Sequence, residues 1–92
     1  MPQRTIAVAA LLGLHARPAT LFVQAAKDTG LPVTIAREGQ EPVEATSVLA
    51  VMALGVEHGQ QVTIACPDGD GAEAALDGLC EVLATDPDAV SG

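Results

Sequence analysis

One segment of the sequence combines residue types suited to binding phosphate: Gly13 to Thr20, which reads Gly-Leu-His-Ala-Arg-Pro-Ala-Thr. His15 stands where a change in hydrophobic period predicts the start of a helix, and Arg17 follows shortly after. Pro18 fits the first turn of that helix, because the first N–H groups have no intrahelical partner to lose. Those groups, here of Ala16 and Arg17, lie at the positive end of the helix dipole and favour anions. The pattern therefore predicts an anion site with an imidazole and a guanidinium.

A histidine at such a site is suited to carry a phosphoryl group. An imidazole is neutral for much of the time near pH 7, so it acts as a nucleophile toward phosphorus. Phosphoryl transfer requires in-line positioning and stabilised charge on the equatorial oxygens, which helix N–H groups and the Arg17 guanidinium supply. The alternative is that His15 only caps the helix or lies on the surface.

Hydrophobic periodicity predicts the elements that position this segment, in the order βαββαβα. Alternation predicts strands at Ile6–Ala10, Val33–Ala36, Val43–Ala45 and Gln61–Cys66, with a hairpin loop at Glu38–Gln40. Periodicity predicts three helices with one apolar face each, and the first has the face Ala19, Phe22, Val23 and Ala26 and ends at Gly30. The second has the face Val48, Val51 and Met52, is capped by Thr46 or Ser47 and ends at Gly55. The third has the face Ala72, Leu76, Leu79 and Leu83 and follows an Asp70–Glu73 capping box. This order favours an α+β two-layer sandwich, with the helices on one side of a four-stranded antiparallel or mixed sheet.

Composition limits the function classes. The chain has 92 residues, 49% of them hydrophobic, and its 12 acidic and 4 basic side chains give a formal net charge of −8. That charge repels nucleic-acid phosphates and anionic lipid surfaces, so we expect no nucleic-acid partner. No apolar stretch approaches the roughly 20 residues of a membrane span, and the N-terminus lacks a signal-peptide pattern, so we expect a cytoplasmic protein. We interpret residues 1–85 as one domain and residues 86–92 as a frayed tail.

The remaining reactive side chains form no predicted site. Cys66 and Cys80 are too few for a disulfide scaffold and form no CxxC pair, so we interpret both as reduced, packed thiols. His58 lies in a Glu-His-Gly turn and is interpreted as a solvated loop residue. With His15 these residues lack metal-ligand spacing, and Asp68 to Gly71 lacks the remainder of a calcium loop. We therefore predict no metal and no cofactor.

The segment Gly13–Thr20 resembles the phosphorylation-site motif of the HPr family, the histidine-containing phosphocarriers of the bacterial phosphoenolpyruvate:sugar phosphotransferase system. Ser47–Gly55, which reads Ser-Val-Leu-Ala-Val-Met-Ala-Leu-Gly, resembles the family's second motif, a serine followed by a short helix ending in Leu-Gly. The length and the element order agree, so the resemblance covers nearly the whole chain. It implies an open-faced sandwich, a four-stranded antiparallel sheet with three helices on one face.

The resemblance also implies roles for individual residues. His15 matches the histidine whose Nδ1 accepts phosphate from phosphorylated enzyme I and passes it to the IIA component of a sugar permease. Arg17 matches the arginine that stabilises the phosphate, and the backbone N–H groups of Ala16 and Arg17 serve by position. The protein is then expected to be a monomeric, stoichiometric carrier and not an enzyme on its own.

Ser47 and the surrounding surface have two interpretations each. Ser47 matches a serine that HPr kinase/phosphorylase modifies in some bacteria, and the phosphorylated protein is then a corepressor for a catabolite-control transcription factor. The other interpretation is that Ser47 only caps the short helix. Docking in the family uses an apolar patch ringed with basic residues, here reduced to Arg17 and Lys27. The candidates for the apolar part, each of which is otherwise a core residue, are Leu14, Thr20, Val48, Leu49 and Met52.

Two alternatives to a sugar-transport carrier stay open. One is a regulatory binding module on the same fold, controlled by phosphorylation of Ser47. The intact His15 favours the carrier, because a purely regulatory homologue needs no imidazole. Thr46 and Ala50 also differ from the residues frequent around that serine in the family. The other alternative is a carrier paralogue that serves nitrogen control or a dihydroxyacetone kinase.

Overall fold

Four strands and three helices follow one another in the predicted order in a computed structural model of the chain, which describes residues 2–10 and 13–85. The strands are β1 (Gln3–Ala7), β2 (Thr34–Arg37), β3 (Val43–Glu44) and β4 (Gln61–Ala65). The helices are α1 (Ala16–Asp28), α2 (Val48–Ala53) and α3 (Ala72–Leu83). The predicted order βαββαβα is therefore confirmed. The predicted frayed tail, residues 86–92, lies outside the described residues.

The described strands form an antiparallel sheet in the order β1-β4-β2-β3. β4 is central: it pairs with β1 on one side and with β2 on the other. On the face toward the helices, Ile35 of β2 pairs with Ile64 of β4, and both are fully buried. On the opposite face, the hydroxyl oxygens of Thr5 and Thr63 lie 3.0 Å apart. Apolar and polar side chains thus alternate across the sheet, as in an open-faced sandwich.

The helices cover the apolar face with the residues that periodicity predicts for α1 and α3. The buried side chains of these two helices are Pro18, Ala19, Phe22, Val23 and Ala26 in α1, and Ala72, Leu76, Leu79 and Leu83 in α3. Phe22 is the one aromatic residue of the sequence and is fully buried. The other large core residues are aliphatic, and burying each contributes about 1.5–3 kcal/mol. α1 packs against both α2 and α3, so it lies at the centre of the helical layer.

The first strand lies earlier in the chain than the alternation of Ile6–Ala10 predicts. Residues 3–7 are the ones that pair with residues 61–65 of β4, so the strand ends at Ala7. Val8 and Ala10 are nevertheless buried, in the connection that leads from β1 toward α1. The alternation therefore predicts the buried side chains correctly, but it predicts the boundaries of the strand wrongly.

The predicted Asp70–Glu73 capping box of α3 is wrong. Gly71, at a φ of 81°, is the N-cap, and no side-chain hydrogen bond caps the helix. Glu73 instead pairs with Arg4 of β1: Arg4 Nη2 donates to Glu73 Oε1 at 2.6 Å, and Arg4 Nε donates to Asp77 Oδ1 at 3.1 Å. The hydrogen bond to Glu73, followed by that to Asp77, raises the pKa of Arg4. These ion pairs join the edge strand to the helix above it.

The connection that precedes α1 packs closely on the connection that follows α2. Gly13 has a φ of 76°, and the N–H of Leu14 donates to the Val56 carbonyl oxygen at 3.0 Å. A Cβ added at Gly13 would overlap that carbonyl oxygen and lie 2.8 Å from Glu57 Cα. Glycine is therefore required here both for its backbone conformation and for the close approach of the two connections.

Replacing Gly13 by alanine is expected to destabilise the protein by more than a left-handed backbone alone costs, which is about 1–2 kcal/mol. Gly39→Ala is the matched control, because Gly39 has a φ of 81° but no atom within 4 Å of an added Cβ. Urea denaturation gives the free energy of unfolding of both variants and of the native chain. Equal losses in the two variants would show that the close contact with Val56 contributes nothing.

Candidate functional site

His15 occupies the N-cap position of α1, half-buried and in extended backbone conformation with a φ of −85° and a ψ of −168°. Its carbonyl oxygen accepts the first hydrogen bond of the helix, from Ala19 N–H at 2.9 Å. Its side chain makes no capping hydrogen bond. The alternative in which the imidazole caps the helix is therefore wrong: His15 is held at the helix entrance through its backbone.

The first turn of α1 brings the predicted anion-binding groups next to His15. Ala16 and Arg17 are the first two helical residues, and both are exposed. Their N–H groups precede the first intrahelical bond, and Pro18, the third residue, has no N–H. No acidic residue lies in this turn. The positive end of the helix dipole is therefore not offset by a carboxylate of its own turn.

Ser47 is the N-cap of α2, at a φ of −114°. Its Oγ accepts a hydrogen bond from Ala50 N–H at 3.2 Å, so the capping role predicted for Ser47 is confirmed. Leu54 is the C-cap, and Gly55 follows with a φ of 67°, the left-handed residue that commonly ends a helix. Phosphorylation of Ser47 stays a prediction from the family resemblance.

The five residues predicted for docking differ in exposure. Leu14 is 5% exposed and belongs to the core, and Val48 is half-buried against it. Leu49 is 81% exposed and Met52 38%, so the inner-face position predicted for Met52 is wrong. Thr20 is exposed, and its hydroxyl donates to the Ala16 carbonyl at 2.7 Å. The six residues of α2 therefore bury Val51 and present Leu49 and Met52 to solvent.

Leu21 of α1 is an exposed apolar residue that the sequence interpretation missed. Its side chain is 45% exposed and lines a cavity between α1 and α3, together with Pro18 and Leu83. The position of Leu21 beside the buried Phe22 gave no signal, because exposed leucines are common in helices. Its exposure becomes evident only from how α1 lies on the sheet.

The two cysteines behave as the sequence predicts for packed thiols. Both are free; Cys66 is buried, and its Sγ lies 4.0 Å from the Ala72 carbonyl oxygen. Partial burial is the largest cause that raises the pKa of the Cys80 thiol, with Asp77 adding to it and Arg4 opposing it. A raised pKa lowers the thiolate fraction, which is the reactive form of cysteine.

His58 is exposed, as predicted, but it is not simply solvated. Its Nδ1 lies 3.2 Å from the Ala9 carbonyl oxygen and 3.3 Å from that of Ala10. Both carbonyls belong to the connection between β1 and α1. This contact is invisible in the sequence, because it joins residues 48 and 49 positions apart.

Within residues 2–10 and 13–85, no group of three or more His, Cys, Asp or Glu side chains is arranged to hold a metal ion. None of the helices in this part of the chain is long and apolar enough to cross a membrane.

Comparison with known sequences gives consistent matches over most of the chain. The sequence model of a family described as PTS HPr component phosphorylation site matches residues 2–85. A phosphocarrier protein HPr of Streptomyces coelicolor is 49% identical over 84 residues, which cover 91% of this chain and 89% of the relative. A phosphocarrier protein HPr of Haloferax volcanii is 44% identical over 84 residues, which cover 90% and 93% respectively.

Solved structures of the same kind superpose closely on this fold. An HPr structure from Thermoanaerobacter tengcongensis matches with a TM-score of 0.81 at 35% identity, covering 90% of this chain and 91% of the other. The phosphocarrier protein HPr of Bacillus anthracis matches with a TM-score of 0.80 at 35% identity, covering 89% and 95%. The four-stranded antiparallel sheet with its three helices is thus shared with these proteins.

Removing the Ser47 hydroxyl is expected to lower the free energy of unfolding by about 1 kcal/mol, because Ala50 N–H loses its acceptor. Ser47→Ala tests this, and Ser47→Asp is the control, since a carboxylate oxygen also caps a helix N-terminus. Chemical denaturation compares both variants with the native chain. The capping role would be contradicted if the alanine variant were as stable as the native chain.

Proposed function

Because the chain belongs to the HPr family of phosphocarrier proteins, we propose that His15 accepts a phosphoryl group from phosphorylated enzyme I and passes it to the IIA component of a sugar permease. One observation carries this proposal: His15 stands at the N-terminus of α1 without capping it, directly before the exposed Ala16 and Arg17. The imidazole is therefore next to groups that stabilise a phosphate. In this role the protein is a stoichiometric carrier, not an enzyme.

The transfer follows from the chemistry of these groups. The lone pair of His15 Nδ1 attacks the phosphorus, a nitrogen–phosphorus bond forms, and the bond to the donor group of enzyme I breaks with its electron pair left on the donor. The Arg17 guanidinium and the N–H groups of Ala16 and Arg17 stabilise the charge on the phosphoryl oxygens. Transfer to the IIA component repeats the exchange with His15 as the leaving group.

Docking of both partners is proposed to use the exposed apolar side chains of α2. These are Leu49 and Met52, to which we add the half-buried Val48 and the exposed Thr20 of α1; Leu14 is left out because it is buried. Large exposed apolar side chains commonly mark a contact with another protein. A surface of this kind is shared by successive partners when each must reach the same histidine.

The charge of the chain limits the electrostatic contribution to this docking. The chain carries a net charge of −8, and α1 holds two of its four basic residues, Arg17 and Lys27. Electrostatic attraction mainly raises the rate of association, whereas apolar contacts determine how long a complex lasts. We therefore propose that apolar contacts contribute most of the affinity, with Arg17 acting on the phosphate.

The native chain is expected to gain the mass of a single phosphoryl group on incubation with phosphoenolpyruvate, magnesium and enzyme I. The group should be acid-labile, as a phosphohistidine is, and His15→Ala should gain none. Intact-mass spectrometry measures both. Ser47→Ala is the control and should be modified like the native chain, because enzyme I acts on His15. No gain with an enzyme I that is active on another HPr would reject the carrier proposal.

Arg17→Glu is expected to slow phosphorylation of His15 on the order of a hundredfold, because a carboxylate replaces a donor that faces the transferred oxygens. Lys27→Glu is the matched control: it changes the net charge equally but lies about 15 Å farther along α1. Rapid-quench rates with phosphorylated enzyme I measure the effect. Equal slowing in both variants would show that net charge, and not contact with the phosphate, is responsible.

A further inference from the structure

The His58 imidazole contacts the connection that leads into the phosphorylation segment. Its Nδ1 lies 3.2 Å from the Ala9 carbonyl oxygen and 3.3 Å from the Ala10 carbonyl oxygen. Carbonyl oxygens only accept hydrogen bonds, so a bond to either of them requires a hydrogen on Nδ1. The geometry therefore selects the Nδ1–H form of this side chain, with the proton shared between two acceptors.

The second of these carbonyls also binds the backbone of the phosphorylation segment. Ala10 O accepts a hydrogen bond from Gly13 N–H at 2.9 Å, and Leu14 and His15 follow Gly13 directly. A carbonyl oxygen has two lone pairs, so the amide of Gly13 and the ring of His58 bind it together. His58 thus shares its acceptor with the amide two residues before His15.

The backbone around His58 holds the same connection at both ends. At the strand end, Gly59 N–H donates to Val8 O at 2.9 Å. At the helix end, Leu14 N–H donates to Val56 O at 3.0 Å. His58 lies between Val56 and Gly59 in the sequence, and its ring adds a side-chain hydrogen bond to the Ala9 and Ala10 carbonyls of the connection between β1 and α1. The two connections therefore form one hydrogen-bonded unit.

We infer that His58 is a positioning residue for His15: through Nδ1–H it holds the Ala10 carbonyl, which also binds Gly13 N–H, and it thereby helps to fix the backbone from Gly13 to the phosphoacceptor. The inference rests on the proposed role of His15. In-line transfer needs the attacking nitrogen held in a narrow range of directions, so a Gly13–His15 backbone that is less well fixed lowers the fraction of productive encounters. His58 acts through the backbone, at the carbonyl that Gly13 N–H also binds.

Nuclear magnetic resonance of the native chain with ¹⁵N-labelled histidine tests the first step. Two-bond correlations within the ring distinguish the two nitrogens, and Nδ1 of neutral His58 is expected to carry the proton. A spectrum in which neutral His58 carries its proton on Nε2 would overturn the inference, because no hydrogen would then face the carbonyls. This measurement needs no variant and no partner protein.

A matched pair of variants tests the consequence. In His58→Asn the side-chain amide supplies an N–H near the place of Nδ1, whereas His58→Leu has nearly the same shape and no donor. We expect His58→Leu to lower kcat for phosphorylation by enzyme I roughly five- to tenfold with little change in KM, and His58→Asn to stay close to the native value. A native rate in His58→Leu, or the same loss in both variants, would overturn the inference.

A structural readout separates this inference from the carrier proposal. The Gly13 amide and the ring resonances of His15 should shift in His58→Leu and return toward native positions in His58→Asn. These shifts do not depend on enzyme I. If the native chain were not phosphorylated but the shifts followed this pattern, the carrier proposal would fail and the positioning by His58 would stand. Unchanged Gly13 and His15 resonances in a folded His58→Leu would overturn it.

Discussion

The close contact between Gly13 and the Val56 carbonyl is the constraint on which the site depends. Two connections, one leading to α1 and one leaving α2, approach each other at a distance that admits no side chain at Gly13. Because the N–H of Leu14 also donates to Val56 O, the entrance of α1 is fixed relative to the end of α2 through backbone atoms. Arg37 adds to this from β2, with Nη1 donating to the Leu54 carbonyl at 3.2 Å. The backbone that precedes His15 and the end of α2 are thereby joined by a hydrogen bond and by close contact.

The few basic residues of the chain divide between the fold and the site. Arg4 joins β1 to the acidic residues of α3, and Arg37 binds the carbonyls of Leu54 and Gly55 directly after α2, so both act between the sheet and the helices. Arg17 and Lys27 lie on exposed positions of α1. A protein with this charge balance has little attraction for acidic partners at a distance. For the docking proposed above, short-range contacts then matter more than the electrostatic field around the protein.

Local features could be predicted from the sequence, and features that join distant segments could not. The apolar stripes of α1 and α3 gave the buried residues, and the Ser47 cap was evident from its position before a short helix. The Asp70–Glu73 capping box failed because Glu73 has a competing partner, Arg4, on the first strand. The segment around His15 could be singled out from its residue types, and the role proposed for it came from its resemblance to the family motif. The role proposed for His58 depends on a contact with Ala10, 48 positions earlier in the chain.

The strand order has a consequence for how the chain folds during synthesis. β1 is made first and lies at an edge of the sheet, and its only strand neighbour among the described residues is β4, the last strand. The cross-strand pair of Thr5 and Thr63, for example, joins residues 58 positions apart. Such non-local pairing carries a large loop-closure cost and slows folding. The sheet therefore closes only after residues 61–65 have left the ribosome, and until then β1 lacks the strand with which it pairs.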